Sequence, residues 1–389
     1  MPKNPIKNLL KVRPFSHNPG SSCVIPSTTI AVEVFPTRIC FYDLGTPSIV
    51  QVAEVSFVDL GPLEEFTVTC DLVQHSVLVS GFQNKRAFRY EIQQYESKEI
   101  RISFHKLISI IHKVDTKIGE SSLWKFYDSQ KKIIETTVPI VPKSYLILKP
   151  HKEGLCFDHW PKKKPERLFL GNTKKQDFDL MTKRGDIQEL LPFYYQMAQS
   201  VPKVLHLKEH TPESRSISAL LEIAIREKKG IEEMLLSFFK VGFTKLMIPT
   251  LFDTLFQGYP DVLTEHHSDF SPLILFEKLF SDVRKIFFQE STSELLILPS
   301  LPPSFHSGVL VDVVTEKGHV LSIEWSKKVI RRLCVQTHAK VHIPFVFQNS
   351  LASYRIQDLK SNQVLGRFQN KSKVTLEENG MYLFDRFEK

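Results

Sequence analysis

The chain has 389 residues, of which 42% are hydrophobic and 24% charged, values ordinary for a globular protein of two or three domains. It contains no run of 18 uninterrupted apolar residues, which excludes a membrane-spanning helix. Its net charge of +8 is compatible with a polyanionic partner without requiring one. The first residues lack the apolar segment of a signal peptide, so we expect a soluble, cytoplasmic protein of bacterial type; secretion without a cleaved signal stays open.

The first part of the chain is predicted to form an irregular arm followed by a β-rich domain. Four prolines and Gly20 interrupt any period over residues 1–22. Residues 23–158 contain short β-rich runs separated by turn residues, which favours an N-terminal β-sandwich. Examples of these runs are residues 30–35, 66–72 and 87–92.

A linker and a mostly helical region follow. Residues 159–165 are polar and rich in Pro and Lys, as is typical of a linker. Over residues 166–290 the apolar period changes to that of helices. Thr211 and Pro212 suit the start of a helix, and residues 273–288 carry a broad apolar face.

Strands return in residues 291–389, which predicts a C-terminal β-sandwich. The expected fold class is therefore a multidomain α+β protein, with a β-sandwich on either side of a central all-helical region. The predicted C-terminal strands span residues 309–315, 319–325, 331–337, 341–347 and 380–384.

The C-terminal region has a Leu- and Pro-rich opening, a glycine, a strand, a glycine turn and a strand ending in Trp. In this order it resembles the C-terminal β domain of inverting (α/α)6-barrel glycoside hydrolases and phosphorylases, including the fucosidase-like and maltose-phosphorylase-like groups. The resemblance covers about a quarter of the chain and implies the order β-sandwich, linker, helical barrel, β domain. The matching residues are Leu296, Leu298, Pro299, Leu301, Pro302, Gly308, Gly318, Glu324 and Trp325.

The helical region is too short for a complete barrel of this kind. Twelve helices and their connections need roughly 200 residues. Residues 166–290 are 125 residues, so we expect a reduced (α/α) barrel. No stretch matches the family's catalytic acid, which puts catalysis by this chain in question.

Asp253 is the leading candidate for a catalytic acid. It lies between Phe252 and a stretch that ends at Tyr259, so aromatic side chains could stack on sugar rings beside it. Burial among them would raise its pKa, as a general acid requires. The alternative is a surface Asp beside core phenylalanines.

A second candidate site is the polar segment that precedes the first predicted helix. Its amides, cations and acids suit a polyol or a phosphate. The alternative is a solvated, charged loop with internal ion pairs. The candidate ligand-binding residues here are Lys174, Lys175, Asp177, Asp179 and Arg184, and Phe252 and Tyr259 join them from the Asp253 segment.

Neither a metal nor a cofactor is predicted. Residues 265–269 are Glu-His-His-Ser-Asp, but their adjacency suits a polar loop better than a ligand set. The cysteines are odd in number, widely spaced and without a CxxC motif, which argues against a disulfide framework and a zinc site and favours reduced, buried thiols. They are Cys23, Cys40, Cys70, Cys156 and Cys334.

The resemblance implies a protein related to carbohydrate, either active as an inverting glycosidase or glycoside phosphorylase or catalytically degenerate. The degenerate form would bind a saccharide or a protein partner at the interface of the helical and β regions. The alternative is a non-enzymatic interaction protein or a basic nucleic-acid binder, in which Trp325 would stack on bases beside nearby cations. Against nucleic acid, Trp325 also suits a β core, and the cations suit a solvated edge. These cations are Lys327, Lys328, Arg331 and Arg332.

Overall fold

The chain is mostly β-structure in the computed structural model. Within the part of the chain it describes there are four sheets and four helices. None of these helices is both long and apolar enough to cross a membrane. The described residues are 4–6, 15–17, 20, 22–45, 49–58, 63–96, 99–106, 110–115, 124–134, 143–150, 165–171, 187–202, 212–242 and 273–389.

The N-terminal region builds two antiparallel sheets. Its strands are β1 (Phe15–His17), β2 (Ser22–Val24), β3 (Ile30–Phe35), β4 (Arg38–Asp43), β5 (Val50–Val58), β6 (Leu63–Asp71), β7 (Ser76–Gln83), β8 (Arg86–Tyr95), β9 (Glu99–Lys106), β10 (Ile110–Asp115), β11 (Trp124–Tyr127), β12 (Ile133–Ile134) and β13 (Tyr145–Pro150). One sheet has the order β1-β6-β7-β8-β9-β13-β11-β12, and the other has the order β10-β5-β4-β3-β2. The strand β1 thus lies inside the segment predicted to be an irregular arm.

Alternating side chains give these sheets a shared core. In β8 the side chains of Phe88, Tyr90 and Ile92 are buried, because successive residues of a strand point to opposite faces. Rings from the two sheets meet: Phe41 of β4 lies 5.8 Å from Phe126 of β11, measured between ring centroids. The two sheets are therefore packed as in a β-sandwich.

The central region contributes one strand and four helices. The strand is β14 (Arg167–Leu170), and the helices are α1 (Ile187–Gln199), α2 (Pro212–Glu227), α3 (Ile231–Gly242) and α4 (Leu273–Phe287). As the sequence predicts, α2 begins at Pro212. Proline has no backbone N–H, and at the first position of a helix an N–H would have no acceptor within the helix. The apolar faces of α1 and α4 meet, with the rings of Tyr195 and Phe280 5.0 Å apart.

The C-terminal region builds two further sheets. Its strands are β15 (Phe288–Glu290), β16 (Leu295–Ile297), β17 (Ser307–Val314), β18 (Val320–Ser326), β19 (Val329–Gln336), β20 (Val341–Val346), β21 (Ser353–Asp358), β22 (Gln363–Gln369), β23 (Lys373–Leu376) and β24 (Met381–Glu388). The larger sheet has the order β14-β17-β18-β19-β24-β21-β22, and the smaller has the order β15-β16-β20-β23. The strand β14 therefore extends a sheet whose other strands begin about 140 residues later in the chain.

Two of the residues that carry the resemblance, Gly308 and Trp325, pack against each other in this larger sheet. Trp325 is 1% exposed, and its indole N–H donates to the carbonyl of Phe305 at 3.0 Å. Its ring lies 5.3 Å from that of Phe287, at the end of α4. Gly308 is opposite Trp325 in the register of β17 and β18. The glycine and the tryptophan are thus one structural unit that joins the last helix to the C-terminal sheet.

The start of the chain also contacts the C-terminal sheet. The side-chain amide of Asn4 donates to the hydroxyl of Ser322 at 2.9 Å. Ile6 is buried in a small cluster with Val311 and Cys334. These contacts tie the first residues to a sheet formed more than 300 residues later.

Candidate functional site

The predicted site residues lie outside the described part of the chain. They remain predictions, and their structural surroundings are not assigned. They are Asp253, Phe252, Tyr259, Lys174, Lys175, Asp177, Asp179 and Arg184, together with the polar residues 265–269.

Trp325 is the exception among the candidates, because the structure describes it. Its side chain is buried against the ring of Phe287 and is hydrogen-bonded to the carbonyl of Phe305, which leaves no face on which a base could stack. The interpretation of Trp325 as a core residue is confirmed, and its use as a stacking platform for nucleic acid is excluded.

A buried carboxylate lies at the start of β14, where two helices meet the larger C-terminal sheet. Glu166, directly before β14, is 7% exposed. It contacts Tyr195 of α1 and Arg284 of α4, and we call these three residues the junction cluster. The backbone of Glu166 is fixed as well: its N–H donates to the side-chain oxygen of Gln199 at 2.8 Å, and its carbonyl accepts from the Gln199 amide at 2.9 Å.

Both carboxylate oxygens of Glu166 have two hydrogen-bond donors each. Oε2 accepts from the hydroxyl of Tyr195 at 2.6 Å and from Nε of Arg284 at 3.2 Å. Oε1 accepts from the same Nε at 3.2 Å and from the backbone N–H of Val314 at 3.3 Å. Arg284 also donates from Nη2 to the carbonyl of Val314 at 2.7 Å. The cluster therefore joins two helices and two strands through one carboxylate.

Burial sets the electrostatics of the junction cluster. Loss of hydration raises the pKa of Glu166 above its ordinary value of 4.5, and Arg284, Tyr195 and Val314 only partly oppose this rise. Burial also raises the pKa of Tyr195 well above its usual range, so its hydroxyl stays protonated as a donor. The arrangement suits a structural connection more than proton transfer to a substrate, because every acceptor position on Glu166 is already engaged.

Two further carboxylates are buried among the described residues, and both are engaged. Asp282 of α4 pairs with Lys285 at 3.1 Å and with Lys278 at 3.6 Å. Asp43 accepts from the hydroxyl of Thr29 at 3.2 Å and from the N–H of Gly45 at 2.8 Å. Inverting hydrolysis needs one carboxyl on the leaving oxygen and another on a water, about 6.5–9.5 Å apart. These buried groups are committed to internal contacts and do not supply that pair.

A polar groove of about 820 Å³ lies at the end of the larger C-terminal sheet. Asn370 shapes it: its side-chain oxygen accepts from the N–H of Phe347 at 3.0 Å, and its amide donates to the carbonyl of Leu351 at 3.0 Å. An exposed ion pair of Arg367 with Glu388 borders it. The groove thus combines planar polar groups with one partly buried ring. Its remaining lining includes Asn349, Ser353, Phe368, Gln369 and Lys371.

Sequence reasoning missed both the junction cluster and the groove. The partners of Glu166 are 29, 118 and 148 residues away in the chain, and no local pattern marks such contacts.

Among the described residues, no group of three or more His, Cys, Asp or Glu side chains is placed to hold a metal ion. No known protein family model matches the chain, and no curated protein matches it either.

The raised pKa of Glu166 predicts a specific pH dependence of stability. Between 4.5 and the raised value, the folded protein binds more protons than the unfolded chain, so this group's stabilising contribution is lost as pH rises. Glu166→Gln removes the titration. We expect the stability advantage of the wild type over this variant to be largest near pH 4 and to shrink toward pH 8, as measured by urea denaturation. A difference in unfolding free energy between the wild type and Glu166→Gln that stays constant or increases with pH would contradict the raised pKa of Glu166.

Proposed function

We propose that this chain is a glycoside-hydrolase-like protein that binds a saccharide and does not hydrolyse it. The β, helical, β order of its parts supports this reading, as does the pairing of Gly308 with Trp325, two of the residues on which the resemblance rests. A reduced (α/α) barrel between the two β regions is part of the proposal.

Among the residues that the structure describes, the state of Glu166 supports the non-catalytic part of the proposal. It is a buried carboxyl at the interface of helices and sheet, and its oxygens are occupied by Tyr195, Arg284 and Val314. A general acid must instead reach a substrate oxygen at hydrogen-bond distance. Asp253 remains the candidate acid of the alternative, an active inverting enzyme.

We place the saccharide in the groove of the C-terminal domain. Sugar hydroxyls both donate and accept hydrogen bonds, and planar side chains such as Asn349, Arg367 and Glu388 match this in fixed geometries. Phe368, which lines the groove, adds an apolar surface for the ring carbons of a sugar. The exposed Arg367–Glu388 ion pair contributes little free energy to stability. Replacing this contact with hydrogen bonds to sugar hydroxyls therefore costs little.

Binding of saccharides to the full chain tests this proposal. Thermal unfolding would be followed against a panel of neutral and acidic mono- and oligosaccharides, because a ligand at 100 times its dissociation constant stabilises by about 2.7 kcal/mol. We expect at least one saccharide to raise the unfolding midpoint and Arg367→Ala to abolish the shift. Incubation of the same saccharide with the protein should release no new reducing ends.

Matched variants separate the alternatives. Lys317→Ala, an exposed cation outside the groove lining, should keep the full shift. Loss of the shift in Asp253→Asn or Lys175→Ala, with Arg367→Ala unaffected, would move the site to the helical region. Release of sugar that Asp253→Asn abolishes would establish the enzyme instead, and a panel without any stabilising saccharide would refute binding.

A further inference from the structure

The groove of the C-terminal domain carries an excess of positive charge. Arg367 and Lys371 both line it, and Glu388 is the one carboxylate among the lining residues that the structure describes. Lys371 directly follows Asn370, whose side chain is hydrogen-bonded to the backbone on both sides of its amide group. A neutral saccharide would bring no partner for the excess charge, so the charge bears on which saccharide fits the groove.

Two neighbouring arginines use their guanidinium groups differently. Arg355 of β21 lies opposite Arg367 of β22 in the register of these strands. Its Nε and Nη2 donate to the two carboxylate oxygens of Asp385 at 2.8 and 2.7 Å, and both side chains are largely buried. Among the described residues, Arg367 instead contacts Glu388 through one nitrogen, Nη1, and one oxygen, Oε2, and about half of each side chain is exposed. The fork of Arg355 is thus filled, whereas Arg367 keeps N–H donors for a second planar acceptor.

Glu388 occupies the place that the carboxylate of an acidic ligand would take. The hydrogen bond from Arg367 lowers the pKa of Glu388 below its ordinary value of 4.5, so this carboxyl is ionised at pH 7. The hydroxyl of Ser353 also donates to Oε2 of Glu388 at 3.3 Å, so Glu388 keeps a donor when Arg367 binds a ligand. Exposed ion pairs are weak, and a ligand carboxylate that engages the guanidinium with both oxygens therefore displaces this one.

We propose that the saccharide bound in this groove carries a carboxylate, as a uronic acid does, and that this carboxylate replaces Glu388 on Arg367. The inference rests on the proposed function, since it specifies the ligand class of the same groove. A carboxylate offers two coplanar oxygens to the N–H donors of a guanidinium, and Lys371 adds attraction without a fixed direction. A sugar hydroxyl offers one oxygen and no charge. The groove therefore favours an acidic sugar over its neutral counterpart.

Matched sugars test the inference on the full chain. Calorimetric titration compares oligosaccharides of galacturonate with those of galactose, and oligosaccharides of glucuronate with those of glucose, at equal length and linkage. We expect an acidic member to bind about tenfold more tightly than its neutral counterpart at low salt, because it adds charge-assisted hydrogen bonds. The difference should shrink in about 1 M salt, which screens exposed charges. Acetate at the same concentration should not bind.

Variants at exposed positions separate the roles of the charged groups. Glu388→Gln should tighten binding of the acidic sugar by about two- to fivefold, because it removes the internal competitor, and should leave the affinity for the neutral sugar unchanged. Lys371→Gln should weaken binding of the acidic sugar alone. Lys317→Ala, which removes a cation outside the groove lining, should change neither affinity. A Glu388 that only shapes the groove would instead lose affinity for both sugars when replaced.

The outcomes distinguish this inference from the proposed function. Acidic and neutral sugars that bind equally well, with Arg367→Ala abolishing both, would overturn the inference and leave saccharide binding in the groove intact. Acidic-sugar binding that Glu388→Gln weakens or leaves unchanged would also overturn it, as would equal binding of acetate. If no saccharide binds, the proposed function fails and the inference fails with it.

Discussion

Arg284→Met is expected to lower the free energy of unfolding by about 3–4 kcal/mol at pH 7, because it leaves the buried Glu166 carboxylate without its cation. Arg284 donates to both oxygens of Glu166 and to the carbonyl of Val314, so the substitution removes contacts to two separate segments. Methionine keeps most of the apolar stem but loses the guanidinium carbon that lies 4.8 Å from the ring centroid of Phe288. Urea denaturation at pH 7 measures the loss.

The matched control is Arg367→Met. Arg367 also forms an ion pair with a glutamate, but both side chains are about half exposed, at 50% and 52%. Exposed pairs contribute about 0–1 kcal/mol, so this variant should remain within 1 kcal/mol of the wild type. Equal losses in the two variants would show that burial does not distinguish them and would contradict the role given to the junction cluster.

A second variant separates the charge from the packing. Glu166→Gln combined with Arg284→Met removes the carboxylate that the single substitution leaves unpaired. The double variant should therefore be more stable than Arg284→Met alone, while losing the hydrogen bonds that the ionised group accepts. If the double variant is instead less stable by the sum of both single losses, Glu166 and Arg284 act independently.

Local patterns allowed much of the fold to be predicted. The run of residues 87–92 alternates buried and exposed side chains and forms the centre of β8. The preceding turn at Asn84 and Lys85 has positive φ at both residues, as tight hairpins require. The start of α2 at Pro212 and five of the C-terminal strands, β17 to β20 and β24, follow in the same way, because neighbours in sequence determine periodicity, capping and turns. The strands β21, β22 and β23 were not predicted.

Long-range pairing was not predictable from those patterns. Arg167–Leu170 forms a strand within a segment whose overall period is helical. Its sequence Arg-Leu-Phe-Leu does not alternate apolar and polar residues, and the strand exists because β17 supplies its hydrogen-bond partners. The groove has the same origin, since β21 pairs with both β22 and β24 and so brings Arg367 to Glu388.

Gly308→Ala is expected to destabilise the C-terminal domain by about 3 kcal/mol through steric overlap alone. A Cβ atom at this position would lie 2.3 Å from Cζ2 of Trp325 and 2.5 Å from the carbonyl oxygen of Phe169. The indole is held by its hydrogen bond to Phe305 and by the ring of Phe287, so it cannot rotate away. The carbonyl belongs to β14, which would have to separate from β17.

Gly318→Ala is the matched control, because the two glycines are required for different reasons. Gly318 has a φ of +81°, and nothing lies within 4 Å of a Cβ atom built there. Its substitution should therefore show only the strain of the left-handed conformation, about 1 kcal/mol. Urea denaturation followed by tryptophan fluorescence compares the two variants. If Gly318→Ala lowers the free energy of unfolding as much as Gly308→Ala or more, the close contact with Trp325 is not the main reason for these glycines. The conformation of the turn would then explain them. The expected order instead makes the spacing of Gly308 and Trp325 a packing requirement of the C-terminal region, which holds whether or not the chain binds a sugar.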